Sequence, residues 1–195
     1  IEEFMKEHKF FNYKMVGHDK NQGTVKNLIS GLENCSGKYV RDFGPGDMFY
    51  TKDSLKKLYE FMEKKQCDSC FCRVQGYIEK NGTLTEKEYI HPFDINAYKK
   101  GKKDLIIKNL ILYSDNVSGA STSYKTDYYL SYLKKIVGSV VYEEDIFQVY
   151  AALEGNNFEF LDECLIWYET SEGISTNKNS PFKKKIALDV EHFLT

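Results

Sequence analysis

Three groups of side chains in this sequence have the types and spacing to do chemistry. Glu143-Glu144-Asp145 sets three consecutive carboxylates at the start of a helical pattern. Carboxylates there complement the positive end of a helix dipole, and a positioned carboxylate is also a standard general base. Gly44-Pro45-Gly46-Asp47 interrupts regular structure directly after a strand-like run. It reads as a tight turn. Its glycines, lacking Cβ, would also let backbone amides approach a phosphate, and Asp47 is a carboxylate that could help hold Mg²⁺, an ion that keeps several of its waters. Cys67-x-x-Cys70-x-Cys72, with Cys35 or Cys164 as a fourth ligand, has the makings of a tetrahedral zinc site. Against zinc, Cys70 and Cys72 fall inside a strand pattern beside Phe71 and Val74, where cysteine acts as a small core hydrophobe. No second Cys or His pair lies at finger spacing, so the core reading is preferred. His18 and His91 are either phosphate contacts or surface loop residues.

The elements that must position these groups alternate. Residues 1–9 have helical spacing, 13–16 are strand-like, and 17–23 form a polar loop. Thr24 caps a helix over about 25–35, whose apolar face is Val25, Leu28, Ile29 and Leu32, with Gly37 as its stop. A strand over 38–43 leads into the Gly-Pro-Gly-Asp turn. A helix over 53–65 and a strand over 69–78 follow. Helix and strand alternating in this way predict a parallel-rich sheet covered by helices, with ligands beyond the C-terminal strand ends. The turn at 44–47 lies at such an end. The polar stretch 79–118 is harder to assign beyond a helix at 103–113. Further on come a tight strand at 119–122, a helix at 128–136, the acidic helix start running to about 153, strands at 158–161 and 165–168, a loop at 171–180 and a last helix from Pro181.

The bulk composition narrows the classes. A chain of 195 residues fits one domain with a sizeable core. A net charge of −2, with Lys and Arg dispersed, excludes the basic footprint of a nucleic-acid binder. No apolar run approaches the ~20 residues of a spanning helix. Five cysteines, an odd number, with no export signal predict reduced thiols and a cytoplasmic setting.

The stretch Asn21-Gln22-Gly23-Thr24-Val25-Lys26-Asn27 through Gly37-Lys38-Tyr39-Val40 resembles the middle of bacterial family 2 glycosyltransferases. Gly119-Ala120-Ser121, Glu144-Asp145 and Trp167-Tyr168…Gly173-Ile174-Ser175 resemble the later landmarks of that family, in the same order. The resemblance covers roughly residues 1–180. It implies a three-layer GT-A (Rossmann-like) α/β domain with a mostly parallel central sheet. It also implies that the family's first strand and helix would precede Ile1, leaving the domain incomplete at its N-terminus. Residues 1–80 would be the remainder of the nucleotide-sugar half, 81–180 the acceptor half and 181–195 a C-terminal helix.

The implied activity is transfer of a sugar, with inversion, from a nucleotide-diphosphate donor to a hydroxyl of a glycan, lipid-linked or protein acceptor. Such enzymes work in the cytoplasm, often in peripheral association with the inner membrane surface. The resemblance makes Asp145 the general base, with Glu144 orienting the acceptor. It puts Asn21, Gly44, Gly46 and Asp47 on the donor side, and Mg²⁺ or Mn²⁺ on Asp47. The family's Asp-x-Asp-Asp keeps only its last acid here, because Gly44 and Gly46 stand where carboxylates usually do; Asp42 lies just upstream. That departure motivates the alternative of a degenerate, non-catalytic binding or assembly module. Asn27 is a structural tie, and Trp167, Tyr168, Tyr128 and Tyr129 are candidate sugar-stacking or core aromatics.

Overall fold

The computed structural model describes residues 1–156, 158–171 and 179–194. A six-residue helix, α1 (Glu2–Glu7), opens the chain and buries none of its side chains. The expected strand at 13–16 is absent: those residues pair with no neighbouring strand and are exposed. Helix α2 (Thr24–Leu32) then buries Val25 and Leu32. Its cap position is held by Gly23, with φ +87° and no side-chain cap, rather than by Thr24. A Cβ on Gly23 would lie 2.4 Å from Val141 Cγ1, so the residue must be glycine on both counts. Gly37 is not the stop of α2, which ends five residues earlier in the sequence at Leu32; the Gly37 carbonyl instead accepts the Thr126 hydroxyl at 2.6 Å.

Strands β1 (Tyr39–Val40) and β2 (Met48–Phe49) flank the Gly-Pro-Gly-Asp turn and are shorter than the pattern predicts. Helix α3 (Ser54–Lys65) and the long strand β3 (Ser69–Lys80) follow as expected. Asn81-Gly82, both at positive φ, turns β3 into β4 (Thr83–Lys87), a hairpin partner that the polar stretch concealed. Helices α4 (Ile95–Lys99) and α5 (Lys103–Tyr113) precede a 3₁₀ turn at Gly119–Ser121. This turn replaces the expected tight strand and feeds β5 (Thr122–Lys125). After α6 (Thr126–Ile136), a second 3₁₀ turn, Glu144–Ile146, runs into α7 (Phe147–Leu153). The two strands expected at 158–161 and 165–168 are one bulged strand, β6 (Glu159–Glu169). Helix α8 (Lys183–Leu194) ends the described chain.

The domain is α/β, but its sheet is mixed rather than mostly parallel. The strand order is β1-β5-β3-β6-β2, with β4 on β3, and among the described residues the parallel pairing is β3 with β6. Strands β1, β3 and β6 point one way, as the alternation predicts. The expectation fails because β5 is inserted antiparallel between β1 and β3, while β2 and β4 run antiparallel along β6 and β3.

The period-2 alternation of β3 divides the core. Cys70 and Cys72 face α3, packing with Leu58, Met62, Leu165 and Ile166. Phe71 faces the opposite side, where Val25, Tyr124, Tyr129, Leu133, Phe147 and Phe158 gather under α2, α6 and α7. Burial pushes both strand thiols up, that of Cys72 to about 11, so these cysteines serve as core hydrophobes.

Leu58 is 1% exposed. Leu58→Ala is expected to lower the unfolding free energy by about 2–5 kcal/mol. Urea titration should show this as a lower midpoint with an unchanged slope.

Candidate active site

Because β1, β3 and β6 share a direction, their C-terminal ends open on one side of the sheet, together with the N-terminal end of β5. A cavity of about 560 Å³ lies there. Asp42, Gly44, Pro45 and Asp47 enter it from the β1–β2 connection, and Glu143, Glu144 and Asp145 from the turn before α7. Tyr89 and His91 come from the segment after β4, Asn116 and Ser118 from the segment before the 119–121 turn, and Tyr168 from the end of β6. Two groups of acids from opposite halves of the sequence therefore share one cavity.

The Gly-Pro-Gly-Asp segment has the pattern of a type II turn. Pro45 is second, Gly46 is third with φ +92°, and Asp47 N–H donates to the Gly44 carbonyl at 3.1 Å. Gly46 does not line the cavity. A Cβ there would sit 3.0 Å from Glu169 Cβ, and its carbonyl accepts from the Tyr77 hydroxyl. Asp47 Oδ2 accepts from Gly44 N–H at 3.3 Å, and its Oδ1 from Glu169 N–H at 3.2 Å. Both of its oxygens thus tie the turn to itself and to β6. Among the described residues no three His, Cys, Asp or Glu side chains are grouped to hold a metal ion. The described residues around Asp47 therefore do not fit a protein-built divalent site.

On the other wall, Asp189 of α8 accepts from three successive backbone N–H groups: Val141 at 3.0 Å, Tyr142 at 2.5 Å and Glu143 at 3.1 Å. This carboxylate fixes the entry to the acidic turn. Burial is the largest cause raising the carboxyls of Asp42, Glu143, Glu144 and Asp145 above the usual range. Repulsion between like charges adds to it: Asp189 acts on Glu143, Glu143 and Asp42 on Glu144, and Glu143, Glu144 and Asp42 on Asp145. Several contacts oppose the shift: the Tyr129 hydroxyl and the charge of Arg41 act on Asp42, backbone N–H groups act on Glu143 and Glu144, and Gln148 Nε2 donates to Asp145 Oδ1 at 2.9 Å. His91 is held below the ordinary imidazole range by burial, which makes it a neutral group in the cavity wall at pH 7.

The remaining predicted residues divide between this cavity and other places. Asn21 lies outside it, lining a neighbouring cavity of about 390 Å³ with His18; its Oδ1 accepts from Gly23 N–H at 2.8 Å and shapes the loop. His18 meets the Ser30 hydroxyl at 2.9 Å. Asn27 borders both cavities. Tyr129 and Tyr168 line the main cavity, whereas Trp167 packs between Tyr50 and Tyr77. Ser175 and its neighbours lie outside the described residues. Sequence reasoning left Glu143, Tyr89, Gln148 and Asp189 unassigned. The first belongs to the acidic run already singled out; the other three carry no local signal.

The sequence model of "Glycosyl transferase family 2" matches residues 1–122 of this chain. The chain belongs to that family. No curated protein matches it. The match takes in the Gly-Pro-Gly-Asp turn and both strands beside it, and stops where β5 begins. Within this family member, the acidic turn at 143–145 lies beyond the matched part and is tied to it by the shared cavity. Among the described residues no helix is long and apolar enough to cross a membrane.

The raised carboxyls set a pH dependence of stability. They bind protons more tightly folded than unfolded, so their contribution is complete at low pH and is lost as pH rises through their folded values. Urea melts from mildly acidic to mildly alkaline pH should show stability falling across that window. Glu144→Gln should flatten the slope.

Proposed function

We propose that the chain is a glycosyltransferase that moves a sugar, with inversion, from a nucleotide-diphosphate donor to a hydroxyl of a glycan acceptor. The observation that carries this reading is the meeting of Asp42, Asp47, Glu144 and Asp145 in one cavity at the C-terminal strand ends, in a chain of this family. Asp145 is the general base. It takes the proton of the acceptor hydroxyl as that oxygen attacks the anomeric carbon, and the bond from that carbon to the diphosphate breaks. Glu144 orients the acceptor.

Among the described residues lining the cavity there is no Lys or Arg. An uncharged sugar suits such a wall, with hydroxyls of Ser114 and Ser118 and the Asn116 amide for hydrogen bonds and Tyr89 and Tyr168 for apolar faces. The family resemblance puts the donor diphosphate toward Gly44 and Asp47, where a cation carried in with the diphosphate would have to offset the Asp47 carboxylate, and Asn21 borders that side from the adjoining cavity.

The test is transfer from a panel of nucleotide-diphosphate sugars to neutral glycan acceptors, with and without Mn²⁺. Asp145→Asn should lower kcat about 10²–10⁴-fold with an unchanged circular dichroism spectrum. In the unmodified protein the rate should rise with pH through a range above that of an ordinary carboxylate, because the base must first lose its tightly held proton. Unchanged turnover in the Asp145→Asn protein would remove Asp145 from the mechanism.

A further inference from the structure

Gln148, the second residue of α7, is 1% exposed, and its amide oxygen and both of its N–H donors are engaged. Its Oε1 accepts the Val117 N–H at 2.9 Å, and its Nε2 donates to the Val117 carbonyl at 2.8 Å. The pair works like a rung of a ladder between a side chain and a backbone, and it fixes which end of the amide is nitrogen. A flipped amide would set donor against donor and acceptor against acceptor. With one Nε2 proton on Val117, the other is aimed at Asp145 Oδ1, 2.9 Å away.

Val117 is itself fully buried, and its neighbours Asn116 and Ser118 line the cavity opposite the acidic turn. The amide therefore joins both walls, and it occupies one Asp145 oxygen from the buried side. We propose that Gln148 is a positioning residue for the base: it holds Asp145 Oδ1 so that Oδ2 is the oxygen presented to the acceptor hydroxyl. This rests on the assignment of Asp145 as base.

The electrostatic setting makes that contact consequential. The groups that bear on Asp145 are Glu143 and Glu144 from its own turn, Asp42 from the β1–β2 connection, Tyr124 from β5 and Tyr89 from the segment after β4. Each is an acid or a phenol, and each disfavours the Asp145 carboxylate when ionised. Gln148 presents an N–H to it instead. Losing that donor should misplace the base and make its proton harder to remove, without touching the donor sugar.

Two variants test this. Gln148→Met keeps the length and removes every hydrogen bond. Gln148→Glu keeps the volume and the acceptor toward Val117 N–H, and when ionised it offers no donor to either the Val117 carbonyl or Asp145. Both should lower kcat about 10–100-fold, the scale of a small misplacement of a reacting group, with KM for the donor within twofold of the original. The acid limb of the kcat–pH profile should move to higher pH. Carboxyl ¹³C NMR of the protein alone should show Asp145 titrating at higher pH in the same variants.

A folded variant with unaltered Asp145 titration and unaltered kcat overturns the positioning role. If Gln148→Met does not fold, Gln148→Glu carries the decision by the same two readouts. The titration is read without turnover, so the two assignments separate. Full transfer by Asp145→Asn sinks the base and leaves the NMR result standing. An unmoved titration in the Gln148 variants sinks the positioning role and leaves the base standing.

Discussion

Like charges brought together away from water repel, and four carboxyls in one cavity wall must be held there by something other than their own preference. Asp42, Glu143, Glu144 and Asp145 are each shifted toward the protonated form by desolvation. The fold holds them with a few donors, one nearby cation and backbone geometry: the Tyr129 hydroxyl and the charge of Arg41 on Asp42, the Gln148 amide on Asp145, and Asp189 gripping the backbone of residues 141–143. Behind each stands the aromatic core, where Tyr124, Tyr129 and Phe147 pack ring to ring. Protons held above the usual carboxylate range are what a general base near neutral pH requires, so the burial and repulsion that burden the fold also suit the role proposed for Asp145.

The wall at Gly44–Asp47 is arranged differently. Where the family commonly places several acids, this chain has a type II turn whose glycines meet the constraints of the backbone. Gly46 needs positive φ and close approach to Glu169, and Asp47 spends both oxygens on backbone donors. The turn is a structural clasp between β1, β3 and β6 as much as a ligand surface, since Tyr77 and Glu169 both hold it.

Helices 53–65, 103–113 and 128–136 were legible because their apolar residues repeat at helical spacing, and β3 because the apolar run Cys70-Phe71-Cys72 is followed by the β-formers Val74, Tyr77 and Ile78. The two acidic and glycine-rich site segments were legible from residue type and from the family resemblance. The sheet's direction was not, since nothing local in Thr122–Lys125 says that it will slip between β1 and β3. The hairpin at Asn81-Gly82 had a local signal, the Asn-Gly pair that favours positive φ at both positions, hidden by the polarity of its exposed β4 arm. Gln148 and Asp189 were invisible in principle. A glutamine and an aspartate on helices look solvated until the partners that bury them, Val117 and residues 141–143, are known to be adjacent.

Asp189 also bears on when the site comes into being. Its three amide partners lie 46, 47 and 48 residues earlier in the chain. Synthesis runs from the N-terminus, so the sheet and its core can form while the acidic turn still lacks its anchor. Closing a contact across that much chain is slow compared with forming a helix. The acidic wall of the cavity therefore gains its anchor only once α8 has been made and has docked, however early the sheet behind it forms.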